Sequence, residues 1–144
     1  MKTELKIPSD LKFLAVVENW LLESLAAELK ENELWPQMSV RLRLALVEAY
    51  SNVVRHAHKD NPELPVTLRL TLAEPLVTIE IWDFGQGYDV ETYLTPTPEE
   101  RQEGGYGWMI LSRLMDKVQY RLQAEEGQNC LMLETKLPIL QETP

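Results

Sequence analysis

Three polar residues, Glu48, Asn52 and His56, fall at i, i+4 and i+8 of a helix-like run from Leu44 to His58. That spacing puts a carboxylate, a carboxamide and an imidazole on one helix face. Such groups are costly to bury without partners, so they either bond into a polar seam or face a cleft. Further on, Asp83-x-Gly85-x-Gly87 sets a carboxylate beside two residues that allow tight turning and close backbone approach to a ligand. Gly104-Gly105-x-Gly107 then opens a helix, where free N–H groups and the positive end of the helix dipole favour a phosphate. Each cluster also has a plain structural alternative: a satisfied seam, a strand-end turn, a hinge. Gly85 to Val90 lacks the third glycine of a dinucleotide fingerprint, and no Gly-x-x-x-x-Gly-Lys-Ser/Thr run occurs, which excludes a P-loop.

The elements that must position these residues are legible from periodicity. Thr3–Pro8 alternates as a short strand at a sheet edge. Ser9 or Asp10 can cap a helix from Leu11 to Lys30, with Leu14, Val17, Leu21, Leu25 and Leu29 as its apolar stripe. Trp35-Pro36 reads as a break, with Ser39 as N-cap of the polar-seamed helix. Val40, Leu44, Val47, Ser51 and Val54 form its core-facing stripe. Beyond Asn61 the period changes to two. Val66–Leu72 and Val77–Ile81 make a hairpin around Ala73-Glu74-Pro75. Val90–Glu103, with two prolines and no apolar period, reads as a mobile loop. A helix follows from Trp108 to about Asp116, its buried face Ile110, Leu111, Leu114 and Met115. A second hairpin closes the chain: Val118, Tyr120 and Leu122 alternate, Ala124–Gly127 turn, and Leu131, Leu133 and Leu137 return. His58 is expected to be exposed, and the tail from Pro138 frayed. The order implies one α+β domain over residues 1–144. It is a two-layer sandwich, three helices on one face of a mixed, mostly antiparallel sheet.

A length of 144 residues suits a single domain. A net charge of −9 argues against a nucleic-acid backbone or an anionic membrane as partner, but not against ATP, which a local nest of N–H groups can hold. Cys130 is the only cysteine, so no internal disulfide forms and a reducing, cytoplasmic setting is expected, with Cys130 a small core residue. The N-terminus shows no signal-peptide pattern and no run is long enough to span a membrane.

In combination the motifs are more specific than their parts. Glu48-Ala49-Tyr50-Ser51-Asn52-Val53-Val54-Arg55-His56-Ala57, Trp82-Asp83-Phe84-Gly85-Gln86-Gly87-Tyr88-Asp89 and Gly105-Tyr106-Gly107-Trp108-Met109-Ile110 occur in the order of a known domain. It resembles the ATP-binding (Bergerat) fold of gyrase, the histidine kinases and MutL, the GHKL or histidine-kinase-like ATPase superfamily. Leu114-Met115-Asp116-Lys117-Val118 extends the likeness to the bacterial anti-sigma factor serine/threonine kinases. The resemblance covers nearly the whole chain.

That resemblance implies ATP and Mg²⁺ as cofactors. Glu48 would be the general base, Asn52 the Mg²⁺ ligand, and Asp83 the acceptor for the adenine amino group. Gly85 and Gly87 would shape the pocket, Gly104, Gly105 and Gly107 would bring backbone N–H groups to the phosphates, and residues 90–103 would be the ATP lid. His56 would be a structural, hydrogen-bonded helix end. Two positions depart from the family pattern. Arg101 is the nearest candidate for an arginine that usually stands just ahead of the last glycine motif, and Asn129 stands where a Gly-Thr or Gly-Asn pair opens the last strand. The implied partners are a STAS-domain anti-sigma antagonist, a sigma factor and a second copy of the chain, with no nucleic acid and no membrane. The displaced arginine leaves a second reading open: an ATP-binding partner-switch module that transfers no phosphate.

Overall fold

The computed structural model describes residues 1–58, 61–85 and 107–138. Strand β1 (Lys2–Pro8) leads through a 3-10 turn (Leu11–Phe13) into helix α1 (Leu14–Leu29), and helix α2 (Trp35–Asn52) follows. A π-helical segment (Val53–Ala57) extends α2. Strands β2 (Pro65–Ala73) and β3 (Leu76–Asp83), helix α3 (Gly107–Leu114) and strands β4 (Lys117–Glu125) and β5 (Gln128–Lys136) complete the described fold.

The five strands form one sheet in the order β1-β2-β3-β5-β4, and every neighbouring pair is antiparallel. One face is apolar by strict alternation. Val66, Leu68, Leu70, Val77, Ile79, Ile81, Leu131 and Leu133 are each 0% exposed and share one core with Val17, Leu21 and Leu25 of α1, Leu42 and Leu46 of α2 and Val53 of the π segment. The three described helices thus cover one side of the sheet. On the other side Trp82, Cys130 and Met132 make a small buried patch, capped by the Arg69 guanidinium 5.1 Å from the Trp82 ring. Cys130 is a core residue as expected, and burial pushes its thiol up to about 12. No helix of the described residues is long and apolar enough to cross a membrane.

Asp10 caps the 3-10 turn that leads into α1, its Oδ1 accepting the Lys12 N–H at 2.9 Å, while α1 itself starts at Leu14 without a side-chain cap. Trp35-Pro36, however, starts α2 rather than breaking the chain, because a proline in the first turn has no intrahelical N–H to lose. Ser39 Oγ instead donates to the Pro36 carbonyl inside that turn. The core face of α2 is also rotated from the predicted stripe. Val40 and Leu44 are 48% and 45% exposed, whereas Met38, Leu42, Ala45, Leu46, Ala49 and Tyr50 are buried. In the last hairpin the β4–β5 register shifts between Arg121 and Glu125, so Leu122 stands 62% exposed. The turn closes at Glu126–Gly127, both at positive φ, as a two-residue hairpin demands.

Tyr50 fixes the rotation of α2. Its hydroxyl donates to the Pro8 carbonyl at 2.6 Å and accepts the Asp10 N–H at 3.2 Å, pinning the helix to the β1–α1 joint. Residues two apart on a helix point about 200° away from each other, so this anchor turns Glu48 and Asn52 to the opposite side. Arg41 Nε donates to the Leu114 carbonyl at the C-terminus of α3, which ties α3 to α2 and suits the negative end of the helix dipole. The Asp116 carboxylate receives the Lys136 N–H at 2.6 Å and the Thr135 hydroxyl at 3.1 Å, and the Lys136 bond holds its pKa below the usual range.

Candidate functional site

The site is built where the end of α2 meets the end of β3. Past Asn52 the helix widens into π geometry, with the His58 N–H bonded back to the Val53 carbonyl, five residues away, at 2.9 Å. Such bulges are concentrated at functional positions. The wider turn also breaks the expected alignment of Glu48, Asn52 and His56. Glu48 is half-buried and Asn52 is 3% exposed, but His56 is turned to an exposed position and His58 is carried inward to 1% exposure. The expectation of an exposed His58 is therefore overturned.

Asp83, the last residue of β3, is fully buried and its carboxylate is almost saturated. Oδ1 accepts the Gly85 N–H and the Asn129 side-chain amide, both at 2.9 Å, and Oδ2 accepts the Tyr120 hydroxyl at 3.1 Å. A carboxylate offers about four lone-pair sites, so about one acceptor position remains with respect to the described residues. Asn129 is the direct cross-strand partner of Asp83 in the β3–β5 register. It bonds in three directions: Nδ2 also donates to the Gly85 carbonyl at 2.8 Å, and Oδ1 accepts the Gln123 N–H at 3.0 Å. Tyr120 was legible only as one more apolar position of β4, because its hydroxyl contact depends on pairing set by β5.

Gly85 is required by close approach. A Cβ there would lie 2.1 Å from the Ala57 carbonyl oxygen and 2.7 Å from its carbon, both backbone atoms at the end of the π segment. Nothing flexible can yield. Gly85→Ala is expected to force the two segments apart and cost about 1–3 kcal/mol, the range for overpacking a well-packed site; urea unfolding beside wild type measures it.

His58 closes the same junction from the helix side. Its Nε2 accepts the Phe84 N–H at 2.9 Å, so the neutral ring carries its proton on Nδ1. Burial holds the imidazole below its ordinary pKa, although the carboxylates of Asp83 and Glu63 pull the other way. Above about pH 6.5 folded and unfolded chains both carry this histidine neutral, so its contribution to stability is complete. As pH falls below that value the unfolded chain takes the proton first, and stability drops until the folded-state pKa is passed. Urea midpoints for wild type are expected to fall more steeply over this acid window than those of His58→Gln.

Asp83, Gly85 and Asn129 are thus brought together, joined by His58 and Tyr120, and set against the helix end that carries Asn52 and Glu48. Gly107 begins α3. Gly87, Arg101, Gly104, Gly105 and the lid at 90–103 lie outside the described residues. A cleft of about 390 Å³ lined by Lys2, Thr3, Glu4, Arg69 and Glu80 opens on the far face of the sheet, where two cations are opposed by two carboxylates.

Comparison with known proteins agrees with the fold. Residues 7–135 match the family model described as a histidine kinase-like ATPase domain. The chain is 33% identical over 90 residues to the serine-protein kinase RsbW of Oceanobacillus iheyensis, covering 57% of each protein. It is 31% identical over 94 residues to the RsbW of Bacillus subtilis (60% of this chain, 58% of the relative) and 28% over 99 residues to that of Listeria monocytogenes (63% and 62%). The matches therefore span somewhat over half the length of these curated relatives. With the family model matched across most of its length, the chain belongs to the histidine kinase-like ATPase domain family.

Proposed function

We propose that this domain is an ATP-dependent serine/threonine kinase of the anti-sigma type, binding one Mg–ATP between the end of α2 and the Asp83 turn. The observation that carries the reading is the contact of Gly85 with the Ala57 backbone. It sets the base-recognition candidate, Asp83, against the segment that follows the metal-ligand candidate, Asn52. The remaining acceptor position on Asp83 would take the adenine amino group, and backbone N–H groups around Gly104, Gly105 and Gly107 would take phosphate oxygens. Arg101, on the lid, would add positive charge near the γ-phosphate.

The metal fits on one observation. Among the described residues the Asn52 side-chain Nδ2 is buried without a hydrogen-bond partner, and a carboxamide whose two ends are interchanged presents its oxygen at that place. No group of three His, Cys, Asp or Glu able to hold a metal occurs among the described residues. Magnesium suits such a site, since it commonly takes one or two protein oxygens and fills its shell with substrate phosphates and water. Bound there it would neutralise phosphate charge. Glu48, one turn before Asn52, would orient and deprotonate the attacking hydroxyl.

The acceptor would be a serine or threonine of a STAS-domain anti-sigma antagonist, with a sigma factor as alternative partner and a homodimer formed through β1 and α1. The names of the similar proteins as serine-protein kinases support the reaction class. Incubating the domain with γ-labelled ATP, Mg²⁺ and a candidate STAS-domain antagonist tests the reading. Label on a serine or threonine supports it; nucleotide binding without transfer makes the chain a partner-switch module instead.

A further inference from the structure

The turn from Asp83 to Gly85 is held at successive backbone groups by different elements. Asp83 holds its own Gly85 N–H, β5 holds the Gly85 carbonyl through Asn129, and His58 holds the Phe84 N–H from the helix side. The first two bonds lie within the sheet. The third crosses to the segment that continues the helix of Glu48 and Asn52, and the His58 residue is 1% exposed, its Nδ1 buried and without a hydrogen-bond partner among the described residues. A bond in that position makes the spacing between the two halves of the site depend on one lone pair.

We propose that His58 is the positioning residue that couples the helix end bearing Asn52 to the nucleotide-recognition turn, and that the domain binds adenine nucleotide only while Nε2 of His58 is unprotonated. This rests on the nucleotide reading above. A proton on Nε2 would set one donor against another, the Phe84 N–H, at a buried ring. The turn would then have to leave the helix end, carrying the Asp83 carboxylate with it. Asp83 on β3 and Glu63 before β2 favour the proton and burial opposes it more strongly, while Arg55 and His56 stand on the same segment at exposed positions. Lys59 and Asp60, next in the chain, lie outside the described residues.

The test is the affinity for ADP, read by calorimetry without Mg²⁺ for wild type, His58→Gln and His58→Leu from about pH 8 to about pH 5.5. Glutamine places an amide oxygen near the position of Nε2, and leucine removes the acceptor. At about pH 8 His58→Gln is expected to bind within about threefold of wild type and His58→Leu about tenfold more weakly, as for a buried N–H left without a partner. Toward the acid end the wild-type affinity falls relative to that of His58→Gln, in which the residue cannot titrate; this ratio cancels protonation of ADP itself. Should His58→Leu not fold, the wild-type to His58→Gln ratio decides alone. A ratio that stays constant with pH overturns the role of His58. Absence of ADP binding by wild type at every pH overturns the nucleotide reading instead.

Discussion

Replacing Glu48 with glutamine is expected to slow phosphoryl transfer by about 10²–10⁴-fold while leaving ATP affinity within about twofold. The substitution keeps the shape of a half-buried side chain on α2 and removes only its capacity to take a proton. Binding should survive, because the proposed contacts to base, phosphate and metal come from Asp83, the glycine turns and Asn52. Single-turnover transfer from labelled ATP to the STAS acceptor measures the first effect and calorimetry the second. Equal losses in affinity and transfer would place Glu48 among the binding groups.

Asn129→Asp is the second large effect. The Asn129 amide donates to both Asp83 and the Gly85 carbonyl in a site where Asn129 is 2% exposed and Asp83 is 0% exposed. An aspartate there sets three oxygens against one another with no hydrogen between them. Leaving a buried charge unpaired costs about 3–5 kcal/mol, a large fraction of the stability of a domain this size. Urea unfolding at neutral pH should show the loss. The exchange variant Asp83→Asn/Asn129→Asp restores a donor to one acceptor and is expected to recover much of the stability. It should not recover ADP binding, because the recognition carboxylate has moved strands. Stability and recognition, both carried by Asp83 in the native chain, would thereby be separated.

The sheet and the motifs that point to the candidate site were readable from the sequence for one reason: period-2 alternation and short glycine motifs are local. Ile79, Ile81, Leu131 and Leu133 are inward-facing as their spacing requires, and Asp83 ends its strand. The phase of α2 was not readable. From Met38 to Val54 apolar residues occur on more than one side, so the buried side depends on where the sheet, α3 and the Tyr50 anchor stand. Past Asn52 the π segment shifts the angular position of every later residue. That shift is why His56 turns outward and His58 inward against a constant helical period. The contacts of Gly85 with Ala57 and of Tyr120 with Asp83 join residues far apart in the chain. Only the completed sheet shows them.

The central claim is that the end of α2 and the Asp83 turn hold one magnesium-bound adenine nucleotide. Calorimetric titration of ATP, with and without Mg²⁺, into wild type, Asn52→Ala and Asp83→Asn tests it most directly. The account predicts one site per chain, tightened by Mg²⁺ in wild type, insensitive to Mg²⁺ in Asn52→Ala, and weakened under both conditions in Asp83→Asn. No heat with wild type, or an undiminished Mg²⁺ effect in Asn52→Ala, would contradict it.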